Sequence, residues 1–128
     1  MKLEELLDEP MDPEFLAEMA NLSREDTGLP MNIYISDNSG VKHGPRIKVQ
    51  TNHSSKFRKD LLVSVTIDQN PKAIDKGLSG KDEAVVREFI IQNRDLLMRY
   101  WNKQVSIGNV TRSLIKHQAI QAQKTKLI

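Results

Sequence analysis

Residues 61–104 read LLVSVTIDQNPKAIDKGLSGKDEAVVREFIIQNRDLLMRYWNKQ, and within that stretch the apolar period changes from two to about 3.6. Leu61, Val63, Val65 and Ile67 alternate with Leu62, Ser64, Thr66 and Asp68, the pattern of a strand with one buried face. Asn70-Pro71 and Gly77 punctuate the connection that follows. Ser79 is then placed to cap a helix, with Asp82 three residues on as the acid of a capping box. Val85, Val86, Phe89, Ile90, Leu96, Leu97, Tyr100 and Trp101 recur at helical spacing up to about Gln104. A half-buried strand next to a helix with one apolar stripe predicts a sheet packed on that helix.

Working outward, the same alternation predicts two more strands. Met31, Ile33 and Ile35 alternate with Asn32, Tyr34 and Ser36, and Asp37-Asn38-Ser39-Gly40 carries hairpin-type turn chemistry. Pro45 opens a strand in which Ile47 and Val49 alternate with Arg46, Lys48 and Gln50, and residues 51–60 read as a polar loop. Towards the N-terminus, Leu3, Leu6 and Leu7 share one helical face before Pro10. A second helix is expected from Asp12, with Pro13 at its first position and Phe15, Leu16, Met19 and Leu22 on its apolar side. After Gly108, Val110, Leu114, Ile115 and Ile120 give a weaker helical pattern, an arm that would order on a partner. The expected fold class is therefore α+β. A small three-stranded antiparallel sheet packs on one long helix, with N-terminal helices and a C-terminal helical arm. The expected divisions are an acidic segment at 1–28, an α+β core at 29–105 and a basic arm at 106–128.

At 128 residues the chain is sized for one domain. It has no cysteine, which excludes disulfides, thiolate zinc sites and cysteine nucleophiles. No run approaches the roughly 18 apolar residues of a membrane span, and the acidic N-terminus is unlike a secretory signal. A cytoplasmic protein with no membrane contact and no cofactor is expected. The net charge of +2 conceals a polarity. Residues 1–30 hold nine carboxylates against Lys2 and Arg24, whereas no acid follows Asp95 and six Lys/Arg do. Such asymmetry favours docking of the acidic end on a basic surface of the same or another chain, or else two solvated tails.

Between Asp37 and Asp60 no acid interrupts Lys42, His43, Arg46, Lys48, His53, Lys56, Arg58 and Lys59. The pleat fixes which residues share the outward sheet face: Asn32, Tyr34, Ser36, Arg46, Lys48, Gln50, Ser64 and Thr66. An aromatic beside Arg and Lys has the make-up of a single-stranded nucleic-acid platform, where cations track phosphates and the ring stacks a base. The expected nucleic-acid or anion-binding residues are Tyr34, Lys42, Arg46, Lys48, Lys56, Arg58 and Lys59. The plainer alternative is a solvated polar face, common on antiparallel sheets. His43, His53 and His117 show no metal-ligand spacing, and no glycine-rich phosphate loop is present. The hydrolytic alternative is metal-free RNA cleavage, with His43 or His53 as acid/base and Arg46, Lys48 and Arg58 stabilising charge on phosphorus. The element order also echoes small ribonuclease toxins.

The motifs at residues 31–104 resemble a family of small bacterial domains of unknown function often encoded beside another small gene in toxin–antitoxin-like pairs. The resemblance lies in Asn32-Ile-Tyr-Ile-Ser-Asp37, Gly44-Pro-Arg-Ile-Lys-Val49, Ile67-Asp-Gln-Asn-Pro71, and Gly77-Leu-Ser opening a helix through Asn93-Arg-Asp-Leu-Leu97 to Trp101. Members of that family usually carry two histidines on one strand face just after the position of Pro45. This chain has Arg46 and Lys48 there, with His43 before the turn. The resemblance thus implies that anion binding is kept at that place while acid/base chemistry is lost. Three readings result: a non-enzymatic module binding RNA, DNA or an acidic protein, from a toxin–antitoxin or mobile-element system; a toxin-like ribonuclease; and a structural homo-oligomeric protein joined through its acidic N-terminus and basic C-terminal arm.

Overall fold

The computed structural model describes residues 19–39 and 43–126. The helix expected at Leu3–Leu7, the start of the one expected from Asp12, and Lys42 lie outside the described residues. The fold is α+β, built on a four-stranded antiparallel sheet in the order β1 (Ala20–Leu22), β2 (Ile33–Ile35), β3 (Arg46–Gln50) and β4 (Leu62–Thr66). The expectation of three strands is corrected by β1. The helical spacing through Met19 and Leu22 predicts a helix here; instead residues 20–22 pair with β2, Ala20 opposite Ile35 and Leu22 opposite Ile33. Leu22, fully buried, joins the core from this edge.

A one-turn helix, α1 (Arg24–Thr27), ends that strand. Ser23 accepts from the Asp26 amide and Asp26 accepts from the Ser23 amide, a complete capping box. Gly28 closes it at φ 75°, donating to the Arg24 carbonyl at 2.8 Å. The left-handed backbone and the Gln118 side chain lying over the Cα both call for glycine, since a Cβ would stand 2.0 Å from Gln118 Oε1.

The inward sheet face is the one the alternation gives. Ile33, Ile35, Ile47, Val49, Val65 and Ile67 form one core with Val86, Phe89, Ile90 and Leu97 of the long helix α2 (Gly80–Trp101). Outside β4 the chain returns as a strap: the Ile74 amide donates to the Ser64 carbonyl, the Thr66 amide to the Lys72 carbonyl, and Asp75 accepts from the Ser64 amide. That edge is thereby covered by local chain.

The C-terminal segment is helical and lies against the core. Two helices, α3 (Ile107–Ser113) and α4 (His117–Lys126), pack against α2. Val110 and Ile120 are buried in the same core. Buried Asn93 fastens the linker between them, donating to the Ile115 carbonyl and accepting from the Ile115 amide at 2.8 Å. No helix among the described residues is long and apolar enough to cross a membrane.

Candidate nucleic-acid interface

The register puts Tyr34 opposite Lys48 and Lys48 opposite Ser64, so these three form one row across the outward face. Arg46 with Thr66, and Gln50 with Leu62, form the flanking rows. The pleat therefore brings together the strand residues the sequence singles out. What it does not deliver is an open platform. Asn32, Tyr34, Ser36, Gln50 and Ser64 are all buried.

The cover at the Gln50 end is the loop that follows β3. Gln50 Nε2 donates to the Lys56 carbonyl at 2.8 Å, the Ser54 carbonyl at 3.3 Å and Asn52 Oδ1 at 2.6 Å. Its Oε1 accepts from the Arg58 amide at 2.9 Å and from the Tyr34 hydroxyl at 3.3 Å. Asn32 adds a bond to the Ser55 carbonyl. One buried amide thus uses its donor and acceptor capacity to fold a polar loop back over the sheet. Phe57 lies edge-to-face with Tyr34, ring centroids 5.3 Å apart. Tyr34, 6% exposed, is thus part of the packing beneath the loop, not the open stacking ring expected of it. Burial raises its phenol pKa above the ordinary value, an effect the Asn32 side chain opposes.

The cations divide by environment. Arg46 is half-buried, and its Nε is enclosed without a hydrogen-bond acceptor. Lys48 reaches the Ser64 hydroxyl at 3.3 Å. Lys56 is exposed, and Lys59, the first residue of the 3₁₀ turn Lys59–Leu61, is partly so. Arg58 forks onto Asp60 through Nε at 3.0 Å and Nη2 at 2.7 Å. Hydrogen bonding from Arg58 holds the Asp60 carboxyl below its usual range. Among the described residues, Arg46 and Lys56 take part in no ion pair.

The histidines are separated. His53 Nε2 meets Asp82 Oδ2 at 2.8 Å beside the N-terminus of α2, and the Arg24 guanidinium donates to the His53 carbonyl. Asp82 therefore departs from the expected capping box: Ser79 caps its amide, but its carboxylate turns to the loop. His43 stands at the other end of α2, its ring 5.9 Å from that of Trp101. Asp82 and Trp101 are about 28 Å apart along the helix at ~1.5 Å per residue. The two imidazoles cannot serve one phosphodiester. Among the described residues no three His or carboxylate side chains group as metal ligands.

No protein-family model, curated protein or solved structure matches the chain. Three features of the site escaped the sequence reading: the Gln50 hub, the Asp82 partner of His53, and Phe57. Only the last left a local signal, an aromatic bracketed by Lys56, Arg58 and Lys59 in a polar loop.

Proposed function

We propose that the chain is a small non-enzymatic binding module that engages nucleic acid through its phosphates, using Arg46, Lys48, Lys56 and Lys59. The observation that carries this reading is Arg46. A half-buried guanidinium with an unsatisfied Nε–H and no carboxylate partner among the described residues is costly to hold, and an anion meeting its accessible end offsets that cost. On the same reading the protein works in a bacterial cytoplasm as part of a toxin–antitoxin-like or mobile-element pair, the setting of the family its residue 31–104 motifs resemble.

Salt-titrated binding to RNA and DNA oligonucleotides tests this. The Arg46→Ala/Lys48→Ala double variant should weaken binding about equally across sequences. It should also flatten the dependence of log affinity on log salt by up to about two units, because each lost phosphate contact releases fewer counterions. Wild-type protein that binds no nucleic acid at low salt, but binds an acidic polypeptide, would replace the nucleic acid with a protein partner.

The His53–Asp82 contact favours one second reading, metal-independent RNA cleavage. Asp82 fixes the His53 ring through Nε2, leaving Nδ1 to take a proton from a 2′-hydroxyl. RNA cleavage in the presence of chelator that His53→Ala abolishes, with binding intact, would establish it. His43→Ala would leave that cleavage unchanged, since its ring stands at the far end of α2.

A further inference from the structure

Phe57 is one of three large apolar side chains exposed on the described surface, and its backbone is held more tightly than its exposure implies. The carbonyl before it, from Lys56, accepts from Gln50 Nε2; the amide after it, from Arg58, donates to Gln50 Oε1. Both neighbours are therefore pinned to a side chain that is itself 0% exposed. The ring leans edge-to-face on Tyr34, yet the residue remains 40% exposed. Isolated surface apolar groups are ordinary and need no explanation. A clamped aromatic bracketed in sequence by Lys56, Arg58 and Lys59 is a narrower arrangement. Lys56 and Lys59 flank the aromatic in sequence, and cations on either side of a ring are what a stacked base between two phosphates requires.

We propose that Phe57 is the base-stacking residue of the interface and that the ligand class is single-stranded nucleic acid. The inference rests on the phosphate-binding reading and sharpens it. Lys56 and Lys59 meet the phosphates flanking the stacked base, and Tyr34 buttresses the ring from beneath. A duplex keeps its bases in their own stack and offers none to Phe57, so discrimination between single and double strands follows. The contact uses the π-face that every base has, so it carries little sequence preference.

The test compares wild type, Phe57→Leu and Phe57→Trp for binding to a fluorescent single-stranded oligonucleotide and to its duplex, each across a salt series. Phe57→Leu keeps apolar cover over Tyr34 and the Gln50 clamp but has no aromatic face. Its affinity for the single strand should fall about 5- to 100-fold, with the salt slope unchanged, while duplex affinity stays within about twofold. Phe57→Trp should bind the single strand at least as tightly as wild type. Equal affinity of wild type and Phe57→Leu for the single strand, with salt-dependent binding still present, would overturn the stacking role and leave the phosphate-binding reading standing. An equal loss for single strand and duplex would overturn it too, since the leucine would then be disturbing the loop. Absence of salt-dependent nucleic-acid binding by the wild type would remove both.

Discussion

Phe89→Ala is expected to destabilise the protein by about 3–5 kcal/mol, the usual range for truncating a fully buried aromatic. Phe89 is 0% exposed and sits in the core that joins α2 to the inward face of the sheet. The effect combines lost transfer energy with a cavity that neighbouring strands, fixed by their ladders, cannot collapse to fill. A domain of this size typically has about 5–15 kcal/mol of total stability, so the loss would take a large share of it. Chemical denaturation should show a lowered midpoint with an unchanged slope. A loss below about 1 kcal/mol would contradict the packing of α2 on the sheet.

Gln50→Leu should have the second-largest effect, on the order of 2–4 kcal/mol, and for a different reason. Leucine fills nearly the same space, so little cavity results. What it removes is the partner of the Lys56 carbonyl, the Arg58 amide and the Tyr34 hydroxyl, with Ser54 and Asn52 also losing a bond. Groups left unsatisfied cost more than the net gain from making each bond, unless the loop lifts into water. Relaxation of that kind would appear as faster amide hydrogen exchange at Arg58, whose amide donates to Gln50 Oε1, with α2 amides unaffected. Full protection at that amide in the variant would show that the loop is held by something other than Gln50.

The contrast between these two residues explains what could be read in advance. Phe89 belongs to a 3.6-residue stripe and the strands to a two-residue alternation, both local patterns, so α2 and β2–β4 were legible. For β1 the pattern was too short. Met19 and Leu22 fit a helical spacing, while Ala20 and Leu22 fit an alternation of only three residues, and pairing with β2 decides between them. Directly after β1, the Ser23–Asp26 capping box starts α1. The C-terminal helices pack through Val110, Ile120 and the Asn93 clamp, contacts between residues far apart in sequence. The interface follows the same division. Alternation put Tyr34, Arg46 and Lys48 on one face, but a loop folded over that face depends on one amide reaching back along the chain. Hence the aromatic exposed among the cations is Phe57, while Tyr34 is packed beneath the loop.

Backbone amide NMR of isotopically labelled protein, titrated with a short single-stranded oligonucleotide at low salt, tests most directly the claim that this face is where nucleic acid binds. The account predicts that the largest shifts fall on Arg46, Lys48 and residues 56–59, that they reverse as salt is raised, and that α3 and α4 stay unperturbed. Shifts confined to the basic C-terminal helices around Arg112, Lys116 and Lys124, with β3 and its loop silent, would contradict it.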